Sequence, residues 1–488
     1  MLFHSTKFFF FFLAFYFIYI LIRNHRKLQI ILLLLGSYFF YASWNYKYLI
    51  LILVSTISDF SIGRLLLKTN NIKERKFFLY LSIGINLSIL FIFKYFNFFI
   101  ESASQLLQFM GLNVNLPVLS VLLPIGISFY IFRTMSYIID VYKRKINPTT
   151  NLIEYALYVA FFPQLLAGPI ERASDFLPYV KEKMIVSKET LYKGVFLFST
   201  GIFKKIILAD FLARLHVDLV FASPSSYSSI DILFAIYGYA FQIYNDFSGY
   251  SDIAIGLSLM LGFKTSMNFN YPYLSANIRE FWKRWHITLS TWLRDYIYVY
   301  LGGTSSKSRF LVYKSILLTM LIGGLWHGAS WNFIFWGGYH GLLIVVSHIR
   351  AEFLKSKKWL NKNLQYLLEV FLTFHLVCLG WVFFKTSNFI KAIEIFQNLF
   401  SFKNLFLNTN ISFLYSGILF TAFIMHLFPL FKYKKLKLSF LKLQQYQTWL
   451  GVIFNKSHFC FKLFYATMAI LISLILAKQF SEFIYLQF

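Results

Sequence analysis

The sequence predicts an all-α, polytopic integral membrane protein with roughly ten to twelve transmembrane helices and additional re-entrant or amphipathic segments. Three observations predict it. Of 488 residues, 58% are hydrophobic and only 14% charged, too apolar for a water-soluble protein with one ordinary core. Apolar runs long enough to cross hydrocarbon, about 20 residues each as a helix, recur along the whole length. These runs do not alternate polar and apolar side chains, which excludes an outer-membrane barrel.

The elements follow in order. Lys7 precedes an apolar stretch, Phe8 to Ile22, and Arg23-Asn24-His25-Arg26-Lys27 follows it with no small-residue cleavage site. We expect an uncleaved first helix stopped by a basic cytoplasmic loop, with the N-terminus outside. Further expected crossings are Leu28–Ala42, Tyr48–Ile62, Phe77–Ile100 and Val118–Ile138. Basic loops at Arg23–Lys27, Arg64–Lys76 and Lys143–Lys145 alternate as that orientation requires. Tyr155–Leu166 is short and ends in Ala167-Gly168-Pro169, which predicts a re-entrant segment or broken helix. Such backbone is tolerated at depth only when buried in protein or lining a cavity. Later spans are expected at Val195–Leu208, Ile232–Tyr244, Leu311–Leu325, Trp331–Val346, Leu367–Phe384, Ser412–Phe431 and Leu463–Leu476. The Lys432–Lys442 segment reads as a cytoplasmic loop near anionic lipid. The chain reads as one membrane-embedded domain: N-terminal helices over 1–145, a core over 151–346 and C-terminal helices over 366–488.

The formal net charge of +27 does not predict nucleic-acid binding. Lys and Arg cluster in short segments between apolar runs, and no nucleic-acid motif accompanies them. Cys378 and Cys460 are the two cysteines, and they offer neither metal spacing nor a disulfide framework. The histidines are widely spaced and form no HExxH-type pair, so no metal is expected.

Some polar residues do not suit a passive bundle. His327 lies in Leu317–Trp331, a run with no carboxylate and no other titratable side chain. Such a residue at membrane depth is costly and usually faces a cavity or a partner. Gly323, Gly324, Gly328 and Ala329 allow a second reading, a packing histidine between close helices. His340, in Gly337-Gly338-Tyr339-His340-Gly341, reads as structural. On a continuous helix Trp282, Trp285 and His286 share a face, with Lys283, Arg284, Arg294 and Asp295 on others or beyond. That suits a membrane interface or the wall of a wet funnel, and on composition alone an interfacial anchor is the simpler reading. Asp246 and Asp252 sit in a Ser/Gly/Tyr-rich stretch. They orient a substrate hydroxyl or a histidine, or else pair with Arg172 or Arg284 as glue between helices, the reading composition favours.

Three stretches carry a family resemblance: Phe281-Trp282-Lys283-Arg284-Trp285-His286, Trp292-Leu293-Arg294-Asp295-Tyr296 and Leu325-Trp326-His327-Gly328. They resemble the bacterial, alginate O-acetylase-like branch of the membrane-bound O-acyltransferases, which also contains the D-alanyl transfer proteins of teichoic acids. The resemblance extends to Phe162–Ile170, Asp246–Asp252, Ser37–Trp44 and Leu379–Phe384, so it spans most of the chain. Length and the extra C-terminal hydrophobic segment look more like the alginate group than the shorter D-alanyl transfer proteins. The resemblance implies a helical fold around a central tunnel, with His327 catalytic and His286 a second active-site residue. It implies an acyl donor from the cytoplasm and an acceptor from outside. Trp326, Trp285, Asp246, Asp252 and Arg284 are the candidate substrate-binding residues. Arg133 is a departure, because the family pattern carries an uncharged glutamine there.

The implied function is transfer of an acetyl group to a cell-envelope or exported polysaccharide hydroxyl. Transfer is direct or through a periplasmic esterase-like partner, in a bacterial inner membrane. No bound cofactor is expected, and acetyl-CoA is the expected donor substrate. Moving an acyl group from a thioester to a hydroxyl needs a base for the proton and donors for the oxyanion. Burial disfavours imidazolium and leaves a histidine neutral and able to accept a proton. His327 is the expected base; His286 orients the acceptor or steadies developing charge. The indoles of Trp326 and Trp331 are candidate oxyanion donors. Covalent relay through an acyl-histidine is the mechanistic alternative. D-alanyl transfer for teichoic acids and a non-enzymatic lipid-linked glycan or acyl transporter are the competing functions.

Overall fold

The computed structural model describes residues 1–432 except 167, 183–185, 305–307, 354–360, 402–404 and 406–410. Among the described residues every regular element is helical. In order these are α1 (Thr6–Leu21), α2 (Arg26–Asn45), α3 (Leu49–Lys68), α4 (Ile72–Leu90), α5 (Phe96–Phe109), α6 (Ile127–Tyr142), α7 (Leu152–Ala160), α8 (Phe162–Leu165), α9 (Ala173–Lys181) and α10 (Lys188–Phe203). Then come α11 (Asp218–Ala222), α12 (Ser229–Met260), α13 (Ile278–Arg284), α14 (Ile287–Leu293), α15 (Arg309–His327), α16 (Trp331–Phe353), α17 (Lys362–Lys385), α18 (Phe389–Phe400) and α19 (Phe413–Lys432). Among the described residues four stretches are long and apolar enough to cross a membrane: Arg26–Lys68, which is α2 and α3 joined by a tight turn, Ile72–Phe109, Arg309–His327 and Asn363–Lys385. Thr6–Leu21 and Phe413–Leu427 are shorter apolar helices. The expected span Leu463–Leu476 and the basic segment beyond Lys432 lie outside the described residues.

The chain divides into two units. The first comprises Met1–Val195 and Ile253–Ser266. Its centre is a polar knot between α3, α4 and α6. Asp59 accepts from Ser82 Oγ at 2.5 Å and Asn86 Nδ2 at 2.8 Å, while Ser55 and Thr134 hydroxyls donate to Asn86 Oδ1. Such groups hold helices together where water cannot satisfy them. The broken helix expected over 155–166 is present, with the break at Phe161: α7 ends at Ala160, α8 covers only Phe162–Leu165, and Phe162 N–H donates to Ser37 Oγ of α2. The crossing expected from Val118 is not. No regular structure runs from 112 to 126, and α6 starts only at Ile127, after Pro124 and Gly126. Gly126 is left-handed at φ 74°, and a Cβ there would lie 2.3 Å from the Leu165 carbonyl oxygen, so the helix cannot extend back through it. Arg133 is buried, bonded to Gln164 Oε1 at 2.7 Å and seated on the Tyr158 and Phe176 rings.

The second unit comprises Phe196–Asp252 and the described residues from Met267 onward. Its most extensive packing is between α15 and α16, a hairpin turning at 328–330. Their backbones touch. A Cβ on Gly337 would lie 2.3 Å from the Met320 carbonyl oxygen and 3.1 Å from Gly324 Cα. The small residues near His327 therefore serve helix packing, and they bring the α16 face close to that histidine. α17 packs on α16, and α13 packs on both α14 and α16.

Candidate active site

His327 ends α15 and is 3% exposed. Its ring lies edge-on to Trp336 at 5.0 Å and to Phe384 at 5.3 Å, with the neighbouring Trp326 ring at 5.0 Å. The His286 ring lies 6.4 Å away, and Trp326 touches it too, at 5.8 Å. Two imidazoles far apart in sequence thus share one buried aromatic enclosure within the second unit.

His286 reaches this place through a backbone break. The expected continuous helix is absent: α13 stops at Arg284, Trp285 is extended, and His286 is left-handed at φ 41° before α14 begins. A non-glycine residue there is strained by roughly 1–2 kcal/mol. The segment 268–270 supports the kink. Ile287 N–H donates to the Asn268 carbonyl and Asn270 N–H to the Arg284 carbonyl, both at 2.9 Å. The Thr288 hydroxyl donates to Asn268 Oδ1 at 2.9 Å, and Asn268 Nδ2 donates to Ser251 Oγ of α12. The imidazole then sits edge-on to Phe247 at 4.5 Å, fully buried. His286 lies outside the spanning helices, and burial pushes it well below its ordinary value of 6.5.

The kink also separates the residues expected on one face. Trp285 packs on Trp381 at 4.9 Å and stacks on Phe281. Trp282 instead meets Trp336 and His340, at 5.7 and 5.3 Å. All three of Trp282, Trp285 and His286 are buried, so the interfacial-anchor reading does not describe them.

Each of the two acidic residues pairs with a lysine. Lys204 pairs with Asp252 at 2.7 Å. Lys205 pairs with Asp246 at 2.6 Å and with Asp210 at 2.9 Å. Both lysines lie in the π-helical segment Lys204–Asp210, which these pairs tie to α12. Arg284 is held by Glu280 at 2.5 Å and reaches the Asn270 carbonyl at 3.5 Å.

Of the two indoles expected near His327, Trp326 is there. Trp331 is 60% exposed, because it opens α16 at the hairpin turn. Trp336 stands in its stead, 1% exposed, with no hydrogen-bond partner for Nε1 among the described residues. Sequence reading missed it. The available signal was its position four residues before His340 on a helix returning from a glycine-rich turn, which puts both on one face.

A cavity of about 620 Å³ lies in the same unit, lined by Trp282, Arg279, Lys283, Arg294 and His348, with Ile316 and Met320 of α15 as apolar wall. Arg279 Nε donates to Ser347 Oγ, and Arg294 pairs with Asp295.

Comparison with known proteins agrees with this helical architecture. Residues 141–372 match the model of the membrane-bound O-acyltransferase family. The protein named probable alginate O-acetylase in Pseudomonas aeruginosa is 40% identical over 373 residues, covering 75% of this chain and 68% of that protein. The peptidoglycan O-acetyltransferase of Helicobacter pylori is 36% identical over 389 residues, covering 74% and 72%. The teichoic acid D-alanyltransferase of Bacillus subtilis is 29% identical over 276 residues, covering 54% and 69%. Likeness of this extent makes the protein a multi-pass membrane acyltransferase: the chain belongs to the membrane-bound O-acyltransferase family.

Proposed function

We propose that this protein moves an acetyl group from a cytoplasmic thioester, acetyl-CoA, to a hydroxyl of a cell-envelope or exported polysaccharide of alginate type. The observation that carries the reading is the pair of buried imidazoles, His286 and His327, 6.4 Å apart in an aromatic enclosure. Relatives named for alginate and peptidoglycan O-acetylation are 36–41% identical over three quarters of the chain, whereas the D-alanyltransferase is 29% identical over about half. That difference favours acetyl over D-alanyl transfer. A transporter would need no reactive histidine. The cationic cavity supports a phosphate-bearing donor, since Arg279 and Lys283 are both on its wall.

In this reading His327 takes the proton of the acceptor hydroxyl as that oxygen bonds to the thioester carbonyl carbon. The C–S bond then breaks, and the proton passes from the imidazolium to the leaving thiolate. His286 orients the acceptor or steadies the tetrahedral oxyanion, with the indole N–H groups of Trp326 and Trp336 as candidate donors. Donors fixed in a dry site are effective because nothing must reorganise during reaction. A membrane count of ten to twelve crossings around a central tunnel, an inner-membrane location and a periplasmic esterase-like partner belong to the same proposal.

The test is His327→Ala in membranes, with acetyl transfer and protein level measured together. The expected loss is about 10²–10⁴-fold at unchanged level. Full transfer by the variant would remove His327 from the chemistry.

A further inference from the structure

α14 opens on a residue that does not cap it. A helix leaves its first N–H groups without intrahelical partners, and a Ser, Thr, Asn or Asp at the cap usually turns back to satisfy one. At α14 the cap position is His286, and its side chain makes no capping bond. The ring is committed to the enclosure, edge-on to Phe247 at 4.5 Å and beside Trp326 at 5.8 Å.

Asn268 caps the helix from another part of the chain. Its backbone carbonyl accepts from Ile287 N–H at 2.9 Å, and its Oδ1 accepts from Thr288 N–H at 3.3 Å. These are the first two N–H groups of α14. Oδ1 also takes the Thr288 hydroxyl at 2.9 Å, and Nδ2 donates to Ser251 Oγ at 3.2 Å. Asn268 is 1% exposed and Ser251 2%, so water does not compete for these bonds. Ser251 precedes Asp252, whose pair with Lys204 fixes that stretch of α12. The next residue, Phe269, lies parallel to the His286 ring at 6.5 Å and edge-on to Phe247 at 5.0 Å. Asn268 and Phe269 therefore hold His286 by its backbone and its ring together. A left-handed histidine persists only while its surroundings over-determine it. Loss of the Asn268 side chain lets residue 286 relax toward negative φ, which turns the imidazole away from its place.

We infer that Asn268 is a positioning residue for acyl transfer: it caps α14 in place of His286 and so frees that imidazole to sit 6.4 Å from His327. The inference rests on the active-site reading of His286 above. The test is a double-mutant cycle in membranes of the protein's own host, each preparation carrying one variant as the sole copy. Label passing from acetyl-CoA to envelope glycan is counted per unit of protein, with kcat and KM for acetyl-CoA taken separately. Asn268→Ala is expected to lower kcat about 10- to 100-fold with KM nearly unchanged, the scale on which a small misplacement slows a reaction. His286→Gly suits the left-handed backbone and removes the imidazole. His286 assists the transfer rather than carrying it, so residual turnover is left to measure. In that background Asn268→Ala is expected to slow transfer by less than about twofold more, because both changes remove the same function. If Asn268→Ala does not accumulate, Thr288→Val takes its place in the cycle. It removes one bond to Oδ1, keeps the backbone N–H, and is expected to lower kcat about twofold to tenfold. A wild-type kcat in the single variant, or losses that multiply with His286→Gly, would overturn the positioning role and leave His286 in the chemistry. A wild-type kcat in His286→Gly would overturn the reading of His286 and the inference with it. No transfer by the wild type would overturn the acyl-transfer reading from which both follow.

Discussion

The His327 imidazole meets the Trp336 indole edge-to-face, with ring centres 5.0 Å apart and planes at 89°. Only the second turn of α16 brings that indole there. Trp336→Phe keeps the ring and removes Nε1–H. If that group stabilises the oxyanion, kcat is expected to fall about 10²-fold with little change in KM. A fall of less than threefold would leave Trp336 as packing alone.

Asp252 and Lys204 separate a binding role from a packing one. Asp252→Leu strands a buried ammonium, and breaking such a pair costs about 3–5 kcal/mol. The protein is expected to lose thermal stability sharply. Lys204→Met with Asp252→Leu removes both charges and is expected to recover most of it. Acetyl transfer by the double variant then decides the rest: activity retained means the pair is glue, and a stable but inactive protein means Asp252 serves the substrate.

The backbone contact of α15 with α16 leaves no room for a methyl group at Gly337. Gly337→Ala is expected to destabilise by about 1–3 kcal/mol, although alanine is the better helix former. A lowered Tm in detergent checks this; an unchanged or raised Tm would mean the hairpin can open far enough to seat a methyl group at no cost.

His286 sets a pH dependence. Burial depresses its folded-state pKa, so on acidification the unfolded chain takes up the proton first. Its contribution to stability is full above pH 6.5 and is lost progressively as pH falls below that value. Tm is therefore expected to drop steadily as pH falls below 6.5. His286→Asn, which tolerates a left-handed backbone, is expected to flatten the drop. An identical slope in wild type and variant would show that the imidazole titrates freely.

Much of the fold was legible in the residues. Apolar runs announced α1 to α4 and α15 to α17, and Ala167-Gly168-Pro169 announced the break near α8. The run from Val118 misled, because apolar composition does not reveal that Gly126 is left-handed beneath the Leu165 carbonyl. Periodicity likewise placed Trp282, Trp285 and His286 on one face, and a single positive φ at His286 sent them to different partners. That kink is held by hydrogen bonds from 268–270, about 18 residues upstream, and local pattern cannot report a distant backbone partner.

The sequence by itself determined that this is a multi-pass helical protein with two histidines worth suspecting, because hydrocarbon demands apolar runs and makes each retained imidazole conspicuous. Tertiary structure alone decided that Lys204 and Lys205 take the two aspartates, and that Trp336 rather than Trp331 faces His327. The reason is physical. Charge pairing and ring contact depend on which helices touch, and a glycine contact between α15 and α16 chooses the register in which they do.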